Sequence, residues 1–351
     1  MKSITIGMDL GDKKNVICVL DEAGNKIEIG AVTNSKSAIS SFIGKYPGAT
    51  VVIEAGTHSP WISRLLESHG CRVLIGNPRK LRVIWDSQNK SDTRDAEMLA
   101  RIGRFDPGLL SPLKHRGEKA QVDLALIKAR ETLVKSRASL VSFVRSMAKS
   151  FGQRIDSCST ASFHKSALKR LPDQLKISLQ PVIEQIESLS DKIKEYDRSI
   201  KTVSAVSYPE TCLLQQVSGV GPLTALAYVV TLEYPDRFST SRQVGPYLGL
   251  TPKRDQSGDQ DKQLRITKAG NSYLRKLLVG SAQYILGPFG PDCNLRRFGE
   301  RLSERGGKNA KRRAAVAVAR KLAVLLHRLW RTGEIYEPFH KAGQKSLAQA
   351  M

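Results

Sequence analysis

Asp92 and Asp95 stand three residues apart at the head of Asp92-Thr93-Arg94-Asp95-Ala96-Glu97-Met98-Leu99-Ala100, a run that reads as helix. Residues three apart share a helix face, so both carboxylates can point to one spot. Like charges held that close repel, and a bound divalent cation keeps both ionised. A helix start in which Asp92 caps and Asp95 meets the dipole is the plainer reading of the same pair. Two more acids favour the metal. Asp9 ends the first apolar strand before Gly11, and Glu54 ends the run Val51-Val52-Ile53. Four carboxylates converging at one end of a mixed sheet form an oxygen-rich site for one or two Mg²⁺, suited to phosphoryl transfer. Asp12 reads as a turn residue and Glu97 as helix surface.

The charge balance names a partner for such a site. Across 351 residues, 56 Lys and Arg face 33 Asp and Glu, a net charge of +23 at pH 7. Such an excess points to a polyanion, and nucleic acid fits best. A membrane partner is disfavoured: no apolar run approaches the roughly 20 residues a bilayer span needs. The start, Met1-Lys2-Ser3-Ile4-Thr5-Ile6, enters a strand pattern at once, so the expected location is the cytoplasm. The five cysteines show no CxxC, which argues against a disulfide framework or a zinc finger.

The elements that must position the acids follow from periodicity. Residues 3–10, 16–20 and 26–32 alternate and are separated by turns, as in an antiparallel meander. The near-continuous apolar run Ala49–Ala55 reads as a buried, parallel strand. An amphipathic helix from Trp61 to His69, a short strand from Arg72 to Gly76 and the Asp95 helix complete an α/β domain over residues 1–106. Pro107 to Gly117 reads as a linker. Two long helical patterns, 124–149 and 171–200, suggest a helical hairpin or coiled-coil arm within 107–210.

A mainly helical region spans 211–345. In it, Val217-Ser218-Gly219-Val220-Gly221-Pro222 is a glycine turn opening a helix, and helix-start N–H groups after Gly219 and Gly221 suit a backbone phosphate. A polar loop, Gly249 to Asp259, carries Ser257 beside Gly258. A hydroxyl on such a loop can approach a phosphodiester, and Arg254, Lys262, Arg265, Lys268 and Arg275 surround it in sequence to neutralise phosphate. Ser272 is the rival nucleophile, but beside Asn271 it reads as a structural residue of a helix start. From Arg296 to Arg328 the chain is helical and basic, Arg312 and Arg313 included. Glu300 and Glu304 are its only acids, too few to pair the cations, which favours a nucleic-acid face.

At this point Ile6-Gly7-Met8-Asp9-Leu10-Gly11, Ile53-Glu54-Ala55-Gly56 and Lys90-Ser91-Asp92-Thr93-Arg94-Asp95-Ala96 together resemble the RuvC-like DEDD domain of a family of bacterial insertion-sequence transposases, related to pilin-gene invertases. The second half is similar to that family's C-terminal serine transposase domain through the glycine turn, Tyr247-Leu248-Gly249-Leu250-Thr251-Pro252, Gln256-Ser257-Gly258 and Ile266-Thr267-Lys268-Ala269-Gly270-Asn271.

The resemblance implies an RNase H/RuvC-like mixed sheet, a coiled-coil arm and a helical C-terminal domain. It implies recombination of donor and target DNA through a phosphoserine at Ser257, with Asp9, Glu54, Asp92 and Asp95 as the metal tetrad. An element-encoded noncoding guide RNA and dimers assembling into a tetramer are implied in the same way. A Mg²⁺-dependent structure-selective endonuclease without serine covalency, and a noncatalytic nucleic-acid-binding protein, are the alternatives that the residues themselves leave open.

Overall fold

The computed structural model describes residues 4–84, 91–257, 260–307 and 309–339. The chain divides into two compact units, residues 1–116 and 117–351. No helix among the described residues is long and apolar enough to cross a membrane.

The first unit is built on a five-stranded mixed sheet. Strands β1 (Thr5–Leu10), β2 (Lys14–Leu20) and β3 (Lys26–Thr33) form the antiparallel meander. After α1 (Lys36–Ile43), β4 (Thr50–Glu54) returns parallel to β1. Helix α2 (Ser59–Ser68) then leads to β5 (Arg72–Gly76), parallel to β4. The order is β3-β2-β1-β4-β5, a mixed α/β architecture consistent with an RNase H-like domain. Helices α3 (Pro78–Ile84) and α4 (Asp92–Phe105) follow.

Strand alternation gives the sheet two buried faces. Ile6, Met8, Ile17, Val19, Val51 and Ile53 pack with residues of α1 and α2. On the other face, Cys18 and Leu20 meet Ala96 and Ala100 of α4, while Val52 and Leu74 meet Leu99 and Ile102. Gly7 is the point of closest approach. A Cβ there would collide with the Ala96 carbonyl oxygen and stand 2.5 Å from the Ala100 nitrogen, so α4 lies backbone to backbone on β1. A Cβ on Gly103 would likewise run into Val52 Cγ2.

The stretch after α4, read above as the start of a linker, packs within this unit. Pro107–Leu110 forms a 3₁₀ turn, Leu110 is fully buried beside Leu81 and Leu99, and Leu113 bridges to Ile75. An apolar pair in an otherwise polar, Pro/Gly-bearing run carried too little periodicity to signal burial.

The second unit opens with α5 (Glu118–Ser150), α6 (Phe163–Arg170) and α7 (Asp173–Ser207). Helices α5 and α7 pack antiparallel: Arg130 pairs with Asp197, Arg137 donates to Ser190 Oγ at 3.1 Å, and Val141 and Val144 share a core with Ile183 and Ile186. Then come α8 (Thr211–Gln215), α9 (Pro222–Leu232), α10 (Val244–Tyr247), β6 (Pro252–Ser257), β7 (Gln260–Ile266), α11 (Ser272–Leu286), α12 (Asn294–Glu304) and α13 (Ala310–Thr332). Helix α9 is buried on every side from Thr224 to Leu232, as befits a largely apolar helix. Its Tyr228 hydroxyl donates to the Ala323 carbonyl of α13 at 2.6 Å. Leu124 and Ile127 of α5 and Ile200 of α7 join the same core, so the long helices are rooted in the bundle.

Gly103→Ala should destabilise the fold by about 1–3 kcal/mol through overpacking against Val52. In a double-mutant cycle with Val52→Ala, urea unfolding should show a coupling of about 1 kcal/mol. Strictly additive losses would exclude this contact as the cause.

Candidate phosphoryl-transfer site

The sheet brings two of the four acids side by side. Met8 pairs with Ile53, so the next residues, Asp9 and Glu54, end adjacent parallel strands. Asp9 alternates with Gly7, and Glu54 with Val52, both of which face α4. Helix α4 runs antiparallel to β1. Its later residues lie over the β2–β3 turn, where Glu97 pairs with Lys26 at 3.2 Å and Arg104 donates to the Glu22 carbonyl. Its first turn, carrying Asp92 and Asp95, therefore begins at the strand ends that carry Asp9 and Glu54. Asp9, Glu54 and Asp95 are half-buried and Asp92 is exposed.

Asp92 does not cap α4. Ser91 does: its hydroxyl accepts from the Arg94 N–H at 3.3 Å, leaving Asp92 and Asp95 inside the first turn, where the helix dipole favours carboxylates. Serine before a helix is a strong cap in its own right, and the one-residue shift frees Asp92 from that role. Glu97 is helix surface as expected, its carboxyl held below the usual range first by the Arg101 hydrogen bond and further by Lys26. Asp12 does more than turn the chain: its Oδ1 lies 3.3 Å from His58 Nε2, while His58 Nδ1 accepts from Trp61 Nε1 at 3.2 Å. That tie joins the β1–β2 turn to the β4–α2 connection.

Among the described residues, no group of three or more His, Cys, Asp or Glu side chains stands close enough to hold a metal ion. The fit to Mg²⁺ is one of donor type and strand placement: four carboxylates, all hard oxygen donors, on elements that meet at one sheet end. The missed residue here is Gly7. Its signal was available, because a glycine inside a strand marks close backbone approach.

The second chemical element is a β-hairpin where a polar loop was expected. Strands β6 and β7 pair antiparallel, with Ser257 opposite Gln260 at the far end. The side chains of Ser257 and Lys262, and residue Gly258, lie outside the described residues. Polar residues in alternation gave the strands no apolar stripe to reveal them. Arg254 and Arg265 are exposed on the hairpin.

Its base is closed by two glycines. Gly249 and Gly270 adopt φ of 66° and 67°, and a Cβ on either would strike the other's neighbourhood, at Ala269 and at the Tyr247 carbonyl. The Lys268 N–H donates to Gly249 O at 3.1 Å and Thr267 N–H to Thr251 O at 2.9 Å. Lys268 is exposed and itself at φ 55°, a rare conformation for a residue with a side chain. Arg275 is half-buried and braces both limbs: Nη1 donates to Leu248 O at 2.8 Å and Ala269 O at 2.7 Å. Asn271 caps α11 by accepting from the Tyr273 and Leu274 N–H groups, which accounts for Ser272 as a helix-start residue.

The glycine turn opens α9 as expected. Gly219 has φ 85° and packs against the Ser281 carbonyl and Tyr284 of α11, and exposed Gly221 is the N-cap residue before Pro222. The basic tail needs a correction. Acids outside it do pair with it: Asp292 holds Arg297 at 2.6 Å and Glu334 holds Arg328 at 2.8 Å. Arg296 is engaged by Glu300 and by the carbonyls of Ile285, Gly287 and Gly290. Counting acids inside the stretch overlooked partners that folding supplies. Lys311, Arg312 and Arg313 remain exposed in the first turn of α13, which holds no acid. Cations at that positive end of a helix disfavour the free protein and favour an anionic partner.

Residues 6–151 match a DEDD-type domain family described as transposase, and residues 212–291 match the transposase IS116/IS110/IS902 family. The chain is 27% identical over 350 residues to the transposase for insertion sequence element IS1111A of Coxiella burnetii, covering 96% of this chain and 92% of that one. It is 25% identical over 311 residues to a probable family 20 transposase of Pseudomonas aeruginosa, covering 86% and 90%. It is 26% identical over 301 residues to the pilin gene-inverting protein of Moraxella bovis, covering 83% and 82%.

Arg275→Met should cost about 2–4 kcal/mol of stability, since it removes two charge-assisted hydrogen bonds. It should also speed hydrogen exchange at the Lys268 amide. Weakened DNA binding with unchanged stability and exchange would mean that Arg275 serves phosphate instead of the hairpin base.

Proposed function

The chain is a transposase of the IS116/IS110/IS902 family with an N-terminal DEDD domain, related to pilin gene-inverting proteins, and from that premise we propose that it recombines DNA through a covalent serine intermediate. In this reaction Ser257 Oγ attacks a DNA phosphorus. An Oγ–P bond forms, a P–O bond of the strand breaks, and the departing strand oxygen carries away the proton that the serine gives up. A different strand end then attacks the phosphoserine and restores the hydroxyl. One phosphodiester is exchanged for another at each step, so rejoining needs no external energy source.

Asp9, Glu54, Asp92 and Asp95 are the residues to hold one or two Mg²⁺, which when bound supply Lewis-acid polarisation of the phosphate oxygens. Arg254, Lys262, Arg265 and Lys268 offset the charge of the phosphate at the serine, and Arg275 keeps their support rigid. The α9 glycine turn at Gly219 and Gly221, together with Arg312 and Arg313, binds neighbouring backbone. The family resemblance adds an element-encoded guide RNA that pairs with donor and target DNA, and a tetramer built from dimers.

One observation carries the reading: Asp9 and Glu54 end neighbouring parallel strands on the face crossed by α4, whose first turn bears the other two acids. The test incubates purified protein, its element RNA and end-labelled DNA with Mg²⁺, followed by a denaturing protein gel. Wild type should retain label on the protein, and Ser257→Ala should lose it. Cleavage that survives Ser257→Ala would point to a water nucleophile and a metal-only endonuclease. Asp92→Asn should abolish cleavage while sparing DNA affinity; unchanged cleavage would remove Asp92 from the metal set.

A further inference from the structure

The acids at the sheet end are flanked by cations that neither the motifs nor the family comparison single out. Strands β1, β4 and β5 are parallel, with Met8 opposite Ile53 and Glu54 opposite Gly76. The connections leaving their C-terminal ends therefore emerge at one edge of the sheet. The β1–β2 turn brings Lys13 and Lys14 to that edge, and the β5–α3 connection brings Arg79 and Lys80. All four are exposed.

Each pair is held by its backbone. Asp12, the acid of the first turn, is engaged by His58, and the Asn34 N–H donates to the Lys13 carbonyl at 2.9 Å. In the second connection Asn77 Oδ1 accepts from the Arg79 N–H at 3.1 Å, and the Asn77 N–H donates to Leu110 O at 2.9 Å. Leu81 is fully buried, which leaves the preceding Arg79 and Lys80 turned to solvent. Among the described residues, no ion pair joins any of these four cations to an acid, whereas Lys26 and Arg101 in the same unit both pair with Glu97.

Spacing gives the arrangement a meaning. Neighbouring strands lie about 4.8 Å apart, so β1 and β5, on either side of β4, are separated by about 10 Å. A DNA strand advances about 3.4 Å per nucleotide, so that width corresponds to about three nucleotides. We propose that one DNA strand crosses this edge, with its flanking phosphates held by Lys13 and Lys14 on one side and by Arg79 and Lys80 on the other. The phosphodiester between them then lies over Asp9 and Glu54. The cations offset the repulsion between a polyanion and a carboxylate cluster, which otherwise opposes substrate approach. This inference rests on the proposed role of the carboxylates and adds how DNA is delivered to them.

The experiment measures equilibrium binding of the full-length protein to a labelled DNA duplex across a salt series. Each phosphate contact contributes about 0.9 to the slope of log K against log salt. K13Q/K14Q and R79Q/K80Q should each lower that slope by about 1.8, with melting temperature unchanged. The control is K192Q/K194Q on α7, whose lysines pair with Glu195 and Asp191. Unchanged slopes in both edge variants overturn the proposal, as does an equal fall in the control. Asp9→Asn separates this outcome from failure of the underlying reading: cleavage that persists in Asp9→Asn removes the carboxylate role, whatever the slopes show.

Discussion

Everything chemical in the first unit depends on how closely α4 can lie on the sheet. Gly7 removes the one Cβ that would hold the helix off β1, and Ala96, Ala100 and Gly103 keep the facing stripe of α4 thin. Helix–sheet packing through ordinary side chains keeps backbones near 10 Å apart; here they touch. The helix start, with Asp92 and Asp95 in its first turn, is thereby brought to the end of the sheet where Asp9 and Glu54 lie. Larger residues in this stripe would lift the first turn away while leaving the sheet intact. The glycine two residues before Asp9 thus sets where the first turn of α4 lies.

The second unit uses the same device for a different purpose. Gly249 and Gly270 let two chain segments meet backbone to backbone at the foot of the β6–β7 hairpin, and the Arg275 guanidinium locks the limbs. A two-stranded ribbon of polar residues has little stability of its own. Its base is rooted through α11 in the apolar core around α9. In both units glycines let two backbones meet beside the elements that carry the polar residues.

What could be read beforehand follows from where apolar residues alternate. The meander and the parallel strand Val51–Ile53 were legible because burial on one or two faces leaves a period-two or continuous apolar trace. The positions of the four acids at strand ends and a helix start were legible because the same patterns fix those ends. The hairpin was not, since Lys253, Arg254 and Gln256 bury nothing and a polar ribbon resembles a loop. Ser91 displaced Asp92 as the cap because several residue types compete for that position and only geometry ranks them. The tail cations Arg297 and Arg328 found Asp292 and Glu334 beyond the stretch's own ends, a pairing that no count of acids within the stretch can foresee.

Charge closes the argument about how the two sets of residues coexist. A surplus of +23 spread evenly would only repel itself, but folding sorts it. Some cations on the long helices and on the flank of α4 are matched to acids at short range, as in Arg130 with Asp197 and Arg101 with Glu97. Such exposed pairs add little stability, about 0–1 kcal/mol each, but they remove those cations from the pool that draws a polyanion. Among the described residues, Lys13, Lys14, Arg79 and Lys80 at the sheet edge and Lys311, Arg312 and Arg313 at the head of α13 are exposed cations that no ion pair takes up. Self-repulsion among such cations costs the free protein stability. Pairing of this kind therefore makes the positive charge of the folded chain less uniform than its composition alone implies.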